Sequence, residues 1–158
     1  ATSAEQVRDT IEQNLTTAFN AIRSAAVPMM RGEGGRIVLF SSVAASHGMT
    51  NHAAIAAAKG AVEGLTRASA ADYAKRGIRV NAIAPAMTDT PMSENLLKSE
   101  ASRKMSDSMH PVGRIGEAKE IADVASWLVD GAPEWMTGQI IGVNGGLGTI
   151  KPQESIKA

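Results

Sequence analysis

Two side chains that can hydrogen-bond a ligand or stabilise charge, Ser42 and Lys59, lie on either side of a short polar loop. The run Ile37–Phe40 before Ser42 predicts a strand, and its apolar character on both faces is typical of the interior of a parallel sheet. Side chains at the carboxyl end of such a strand face the crevice where doubly wound proteins bind ligands. An alanine-rich segment then predicts a helix that carries Lys59. The sequence therefore predicts a ligand site built from a strand, a loop and a helix.

Three motifs carry a family resemblance. They are Gly35-Arg-Ile-Val-x-x-Ser-Ser-Val43, Asn51-x-Ala-Ala-x-Ala-Ala-Ala-Lys-Gly60 and Gly77-Ile-Arg-Val-Asn-x-Ile-x-Pro85. Together they resemble the second half of a short-chain dehydrogenase/reductase, close to the ketoacyl-reductase type. The resemblance implies an α/β fold with a Rossmann-like doubly wound parallel sheet. It also implies that residues 1–158 form a single partial domain without the family's opening strands.

The resemblance implies a catalytic set that this chain does not keep intact. In the family a Ser precedes an acid/base Tyr by thirteen positions, and a Lys follows that Tyr by four. Counting from Ser42 puts Ile55 at the Tyr position and Lys59 at the Lys position. The family's Tyr exchanges a proton, helped by the Lys charge, while the Ser holds the substrate oxygen. Isoleucine has no proton to exchange, and such assistance is typically worth about 10²–10⁴ in rate.

Other polar side chains are candidates for the missing proton transfer. Asn14, in Asn-Leu-x-x-x-Phe, resembles the family's Asn of a water-mediated proton relay, but a buried amide bonded to a neighbouring backbone carbonyl explains it equally well. His52 lies one turn before Ile55 and has a suitable ordinary pKa, although a solvated His in a first helical turn is the simpler interpretation. We expect His47 and His110 to be loop residues. Cysteine is absent, which excludes a thiol nucleophile.

The family resemblance also implies which residues would contact a cofactor. The family has Pro-Gly and then a Thr near nicotinamide, where this chain has Pro85-Ala86 followed by Thr88 and Thr90. Candidate contacts are therefore Lys59, Pro85, Thr88 and Thr90, although a turn and helix cap at Thr88–Thr90 explains the same residues. We expect no phosphate loop of the Gly-x-x-x-Gly-x-Gly kind. The chain alone is accordingly expected to bind no dinucleotide, with NAD or NADP held by an active partner subunit.

The first predicted strand raises the question of its neighbour. In a doubly wound sheet, Ile37–Phe40 should lie beside an earlier strand, and without one its edge exposes unpaired backbone groups. We expect either a longer natural chain or a partner that covers this edge. The polar tail Lys151–Ala158 is expected to become ordered against a neighbouring subunit.

Helical periodicity and turn residues place the remaining elements. A capping-box pattern at Ser3 predicts a helix that runs to about Met30. Further elements are predicted as a strand at Ile78–Ala84, a helix from Glu117 to Val129 and a last strand before Gly145-Gly146. The resemblance implies a mobile substrate-binding lid over residues 91–110. Three aromatic residues, Tyr73, Trp127 and Trp135, are expected to pack in the interior.

Composition narrows the function. Sixteen basic residues balance sixteen acidic ones without a long basic block, which argues against nucleic acid or an anionic membrane surface as partner. The sequence has no secretory leader pattern and no long apolar run, so we expect a cytoplasmic protein. Small residues such as Ala54, Gly60 and Gly64 on one helix favour close helix packing within the chain or between subunits.

Two functional interpretations follow. In the first, the chain is a catalytically degenerate subunit, a structural or regulatory partner of an active NAD-dependent alcohol or hydroxyacyl-CoA dehydrogenase in a hetero-oligomer, expected to be a heterotetramer. In the second, it is an active NAD(P)-dependent short-chain dehydrogenase or ketoreductase whose amino-terminal half lies outside these residues. The loss of the Tyr at Ile55 and the absent phosphate loop favour the first.

Overall fold

The computed structural model describes residues 2–151, so the predicted tail lies, apart from Lys151, outside the described residues. Within that range the chain forms five α-helices and five strands. The helices are α1 (Ala4–Ile11), α2 (Thr17–Arg31), α3 (Ala53–Tyr73), α4 (Glu100–Met109) and α5 (Ala118–Ser126). The strands are β1 (Gly35–Phe40), β2 (Ile78–Pro85), β3 (Thr88–Asp89), β4 (Gly116–Glu117) and β5 (Ile140–Val143). No helix among these residues is long and apolar enough to cross a membrane.

The main sheet has the order β1-β2-β5, and all its pairs are parallel. The register puts Phe40 opposite Ile83 and Pro85 opposite Val143. A separate pair of short parallel strands, β3 and β4, lies outside this sheet. Parallel strands connected by helices are the arrangement expected of a doubly wound fold. Within residues 2–151 the outer edge of β1 has no strand partner, as the sequence predicted.

Helices cover both faces of the sheet because the buried strands are apolar on both sides. On one face, α2 and α3 enclose a cluster that includes Ile37, Leu39 and Val80, and α1 packs against α3. On the other face, α5 and the turn after it pack on Val38 and Ile83. Alternate residues of one strand therefore belong to opposite layers, as the pleat of a strand requires.

The first predicted helix forms from Ala4, with the Ser3 capping box in place, and ends at Arg31. It is interrupted by a π-helical turn, Glu12–Thr16, which periodicity did not predict. A second π-helical turn, Trp127–Gly131, ends the segment that the sequence predicted to be helical up to Val129. Such π-helical turns are rare and occur mostly as single-turn insertions within α-helices.

The expectation for the three aromatic residues is confirmed only in part. Tyr73, at the end of α3, packs against the first apolar cluster. The prediction that Trp135 is a packing residue is wrong, since its side chain is 97% exposed. It lies in the polar loop before β5, where the neighbouring Glu134 pairs with Arg36 and Arg79.

The starts of β1 and β2 are held together by a close backbone crossing. Gly34 has φ +92°, and the amide of Gly35 donates to the carbonyl of Gly77 over 3.2 Å. A Cβ at position 34 would lie 2.4 Å from that carbonyl oxygen. Only glycine meets both requirements at position 34.

Gly34→Ala is therefore expected to destabilise the fold by about 2 kcal/mol or more, since it combines a left-handed conformation with a backbone clash. Urea unfolding followed by circular dichroism measures the loss. Gly32→Ala is the matched control, because its Cβ would meet only an ordinary contact of 3.5 Å. Equal stability of the two variants would contradict the crossing.

The turn into α5 is fixed by a two-pronged ion pair. Arg114 donates to both carboxylate oxygens of Glu120 over 2.8 and 2.7 Å, and the amide of Glu117 donates to the same carboxylate over 2.8 Å. The Arg114 hydrogen bonds, followed by the Glu117 amide, lower the pKa of Glu120 from 4.5 to about 2.

Because the folded pKa of Glu120 is depressed, the ionised group stabilises the fold above about pH 4.5, and this contribution is lost as the pH falls towards 2. Glu120→Gln should therefore lower the free energy of unfolding at pH 7, and the difference from wild type should shrink over that window. Urea titrations from pH 2 to 7 measure the trend. In an Arg114→Ala background, Glu120→Gln should change the free energy of unfolding and its pH dependence much less, because the ion pair is already absent.

Candidate active site

A cavity of about 750 Å³ opens at the carboxyl ends of β1 and β2. The 87–109 segment and residues of α5 close it on the side away from α3. Most of its lining is apolar, and among the residues that line it are six of the sequence's candidates: Ser42, Ile55, Lys59, Pro85, Thr88 and Thr90. The predicted location of the site, at the strand ends, is where the structure has its large cavity.

Ser42 lies directly after β1 in an extended conformation. Its hydroxyl oxygen accepts a hydrogen bond from the amide of Ala44 over 3.2 Å. This contact uses an oxygen lone pair and leaves the hydroxyl proton available for a ligand oxygen. Ser42 is therefore suited to hold a carbonyl or alcohol oxygen in the cavity.

The neighbouring Ser41 is buried and faces α3 instead. Its hydroxyl donates to the Glu63 carboxylate over 2.9 Å and lies 3.4 Å from the backbone carbonyl oxygen of Lys59. Glu63 also pairs with Arg67 over 3.8 Å. The serine pair thus has two tasks, since Ser41 fixes the helix to the strand and Ser42 faces the cavity.

Lys59 lies on α3 and reaches back to the strand end. Its ammonium donates to the carbonyl of Phe40 over 2.8 Å. Burial lowers the pKa of Lys59 from the ordinary value, because the charged form loses hydration. Within residues 2–151, no carboxylate forms an ion pair with it. Lys59 is therefore a half-buried amine in an apolar cavity, held by one backbone carbonyl.

Ile55 is half-buried in the wall of the same cavity, one helical turn before Lys59. The structure thus places an apolar side chain on the helical face where the family resemblance implies a phenol. His52, just before α3, also lines the cavity. Its Nδ1 donates to the carbonyl of Thr50 over 2.7 Å, which leaves Nε2 for a ligand or water. His52 is therefore a polar group of the cavity wall, where the simpler interpretation had placed it in solvent.

Asn14 lies apart from the residues that line this cavity. It belongs to the π-helical turn between α1 and α2, where its side-chain amide donates to the carbonyl of Thr10 over 2.9 Å. This bond is the local contact that one of the two interpretations required. The side-chain carbonyl oxygen of Asn14 takes no part in this hydrogen bond. The relay role of Asn14 stays a prediction.

The threonine candidates use their hydroxyls locally. The Thr88 hydroxyl donates to the carbonyl of Ala86 over 3.1 Å, and the Thr90 hydroxyl lies 3.4 Å from that of Ser93. Thr88 is part of β3, whose pairing with β4 the sequence did not predict, and α4 begins only after the Ser99 cap. The cofactor role of these threonines stays a prediction.

One glycine pattern corrects the sequence expectation. The spacing Gly-x-x-x-Gly-x-Gly does occur, at Gly142, Gly146 and Gly148. In the structure these residues end β5 and form a turn, without the helix N-terminus that would bind a phosphate. A Cβ at Gly146 would lie within 3.1 Å of Ile150 and Pro111. The glycines therefore serve tight packing of this turn.

His110 lies just after α4, outside the helix as the sequence predicted, but its side chain is buried, with 4% exposure. Its Nδ1 donates to the carbonyl of Ser106 over 2.7 Å, while Nε2 has no partner among the described residues. His47 is exposed and lies near Gly148. Among residues 2–151, no group of three acidic, His or Cys side chains is arranged to hold a metal ion.

Several apolar residues of the cavity were not identified from the sequence. They come from four separate segments and include Phe40, Met87, Leu96, Ile121 and Leu147. Phe40 ends one predicted strand and Met87 follows the other. These positions at the strand ends could have identified both residues as part of the cavity. The others are brought to the cavity only by the packing of the 87–109 segment, α5 and the turn after β5.

Comparison with known proteins gives concordant results. Residues 1–148 match the family model described as enoyl-(acyl carrier protein) reductase. The chain is 39% identical over 150 residues to 2,5-dichloro-2,5-cyclohexadiene-1,4-diol dehydrogenase of Sphingobium indicum, covering 94% of this chain and 60% of that protein. It is 39% identical over 137 residues to the 3-oxoacyl-(acyl carrier protein) reductase of Thermotoga maritima, covering 87% and 55%.

A solved structure agrees. Gluconate 5-dehydrogenase from Burkholderia cenocepacia, in complex with NADP and tartrate, superposes with a TM-score of 0.88 at 31% identity, covering 96% of this chain and 59% of that one. The chain thus spans about 60% or less of the length of these relatives. Sequence motifs, parallel sheet and family model agree, and the chain belongs to the short-chain dehydrogenase/reductase family of oxidoreductases.

Proposed function

We propose that this chain is a catalytically degenerate subunit that assembles with an active, homologous, NAD- or NADP-dependent alcohol or hydroxyacyl-CoA dehydrogenase. The observation that carries the proposal is Ile55. It occupies the cavity wall on the same helix as Lys59 and across the loop from Ser42. Hydride transfer to a ketone needs a proton for the new alkoxide, and isoleucine supplies none.

The local cofactor geometry supports the same proposal. The Lys59 ammonium is bonded to the Phe40 carbonyl, and the Thr88 and Thr90 hydroxyls have protein partners nearby. Within the described residues, the glycine-rich turn after β5 does not open a helix that could bind a pyrophosphate. We assign hydride transfer to the partner subunit, because Ile55 supplies no proton for the alkoxide that this transfer forms.

Surface chemistry supports assembly. The α1–α2 segment exposes apolar side chains of Ile11, Phe19 and Val27, of which Phe19 is 55% exposed. Water contact with such large apolar groups is unfavourable, and burying them in an interface removes it. We therefore assign the partner to this helical face.

The glycines of α3 lie on the same face of the sheet as α1 and α2, and they support the same assignment. α1 and α2 pack with α3 on one face, and a Cβ added at Gly60 or Gly64 would meet no atom within 4 Å. These two glycines are thus not required by packing inside the described chain. Small residues one turn apart allow the backbone of a second helix to approach closely.

A second candidate is an active oxidoreductase formed by this region together with an amino-terminal dinucleotide-binding half. Its support is that Ser42, Lys59 and His52 line one cavity, and that His52 has a free ring nitrogen able to exchange a proton. The relatives of known name are dehydrogenases and reductases. In this case His52, and not residue 55, would donate the proton to the alkoxide.

Phe19→Glu should weaken association with the homologous subunit at least about tenfold, because a charge would be buried in the apolar contact. Sedimentation velocity on the tagged chain, co-purified from its source cells, measures the complex. Val129→Glu is the matched control, since Val129 is 46% exposed but lies on the other side of the sheet. Equal effects of the two substitutions, or a chain that purifies with no homologous subunit, would refute this surface.

The isolated chain is expected to bind NADH and NADPH more weakly than the homologous subunit by at least about tenfold, because within residues 2–151 the glycine-rich turn after β5 opens no helix that could bind a pyrophosphate. Fluorescence titration measures this. Ile55→Tyr in the isolated chain should restore no ketone reduction, whereas under the second candidate the same substitution in a chain extended by its amino-terminal dinucleotide-binding half would raise turnover by about 10²–10⁴. Tight cofactor binding together with turnover by the unmodified chain would overturn the degenerate-subunit proposal.

A further inference from the structure

We propose that Lys59 gives this chain a chemistry that needs no nicotinamide: its side-chain amine condenses reversibly with an apolar aldehyde or ketone in the cavity and holds it as an imine. The proposal goes beyond the partner-subunit function. It rests on the position of Lys59, on its missing ion-pair partner and on the apolar cavity around it.

The amine of Lys59 has no ion-pair partner among residues 2–151. The nearest acidic residue on α3, Glu63, is one turn away but accepts from Ser41 and pairs with Arg67. Lys59 donates only to the Phe40 carbonyl among the described residues. One of its three protons is engaged, and no negative charge stabilises the ammonium. Loss of a proton therefore breaks no ion pair.

The surroundings favour the neutral amine, which is the nucleophile. Half-burial lowers the pKa of Lys59, since the cavity wall removes water from the ammonium. Lysines activated in this way are the ones that form Schiff bases with carbonyl compounds. Ile55 adds an apolar surface one turn away and no hydrogen-bond partner for the amine.

Ser42 is suited to position the ligand carbonyl. Lys59 donates to the backbone carbonyl of Phe40, two residues before Ser42. The side chains of Lys59 and Ser42 therefore lie at the same strand end. The Ser42 hydroxyl keeps its proton free and can donate it to a carbonyl oxygen. This donation makes the carbonyl carbon more electrophilic while the apolar walls hold the remainder of the ligand.

The chemistry balances without another reactant. The neutral amine attacks the carbonyl carbon, a C–N bond forms, and the proton that leaves nitrogen is taken up at oxygen to give a carbinolamine. The C–O bond then breaks, and the second amine proton leaves with oxygen as water. One molecule of water is released, and no group is oxidised or reduced. His52, in the same cavity wall, has a ring nitrogen available for these proton transfers.

The test uses the whole 158-residue chain, benzaldehyde and sodium cyanoborohydride, which reduces an imine to a stable secondary amine. Intact-mass and peptide mass spectrometry then locate the benzyl groups. Lys59 should be labelled at least about tenfold faster than Lys104 and Lys119, which are exposed and ion-paired. Even labelling of all lysines, or slower labelling of Lys59, would overturn the proposal.

Three variants sharpen the result. Lys59→Arg keeps a cation beside Phe40 but should lose the fast-labelled site, while Lys104→Arg should leave it unchanged. Ser42→Ala should slow labelling of Lys59 about tenfold, the loss expected for one hydrogen bond. Labelling that is unaffected in Ser42→Ala would remove the serine from the proposal, and fast labelling that survives in Lys59→Arg would overturn it. Neither readout involves NADH or a partner subunit, so it is independent of the proposed function.

Discussion

The attachment of α3 to the ends of β1 and β2 is the interaction on which the rest of the structure depends. Val62 and Ala70 of α3 are buried against Val80 and Ala82 of β2. Close packing at these points is dense enough that a shift of the helix would open voids. Polar contacts from Ser41 to Glu63 and from Lys59 to Phe40 then fix the register of the helix against β1.

This attachment explains why the shape of the site does not depend on the side chain at position 55. The position of Lys59 depends on the buried side of α3 and on a backbone carbonyl, and neither depends on residue 55. Ser42 is held by the end of β1 and by the amide of Ala44. Loss of a reactive side chain therefore need not disturb the cavity. A family scaffold can lose one chemistry and retain a ligand site, because packing and reactivity reside in different residues.

The two faces of the molecule differ in what they leave exposed. The side of α1, α2 and α3 has Phe19 in solvent and open space beside Gly60 and Gly64. On the opposite side, α5 is entered through the Arg114–Glu120 pair, and its buried stripe lies against Ile83. The first side combines small residues on α3 with exposed apolar side chains on α1 and α2, and the second side carries the Arg114–Glu120 pair.

The sequence alone determined the parallel strands, the helix carrying Lys59 and the place of Ile55, because apolar periodicity and residue spacing along one element are local properties. It also predicted the open edge of β1. The tertiary structure decided what depends on contacts between distant segments. These are the π-helical turns, the pairing of β3 with β4, the burial of His110, the exposure of Trp135 and the entry of His52 into the cavity wall. Each of these results from packing over long separations, on which the local pattern of a chain carries no information.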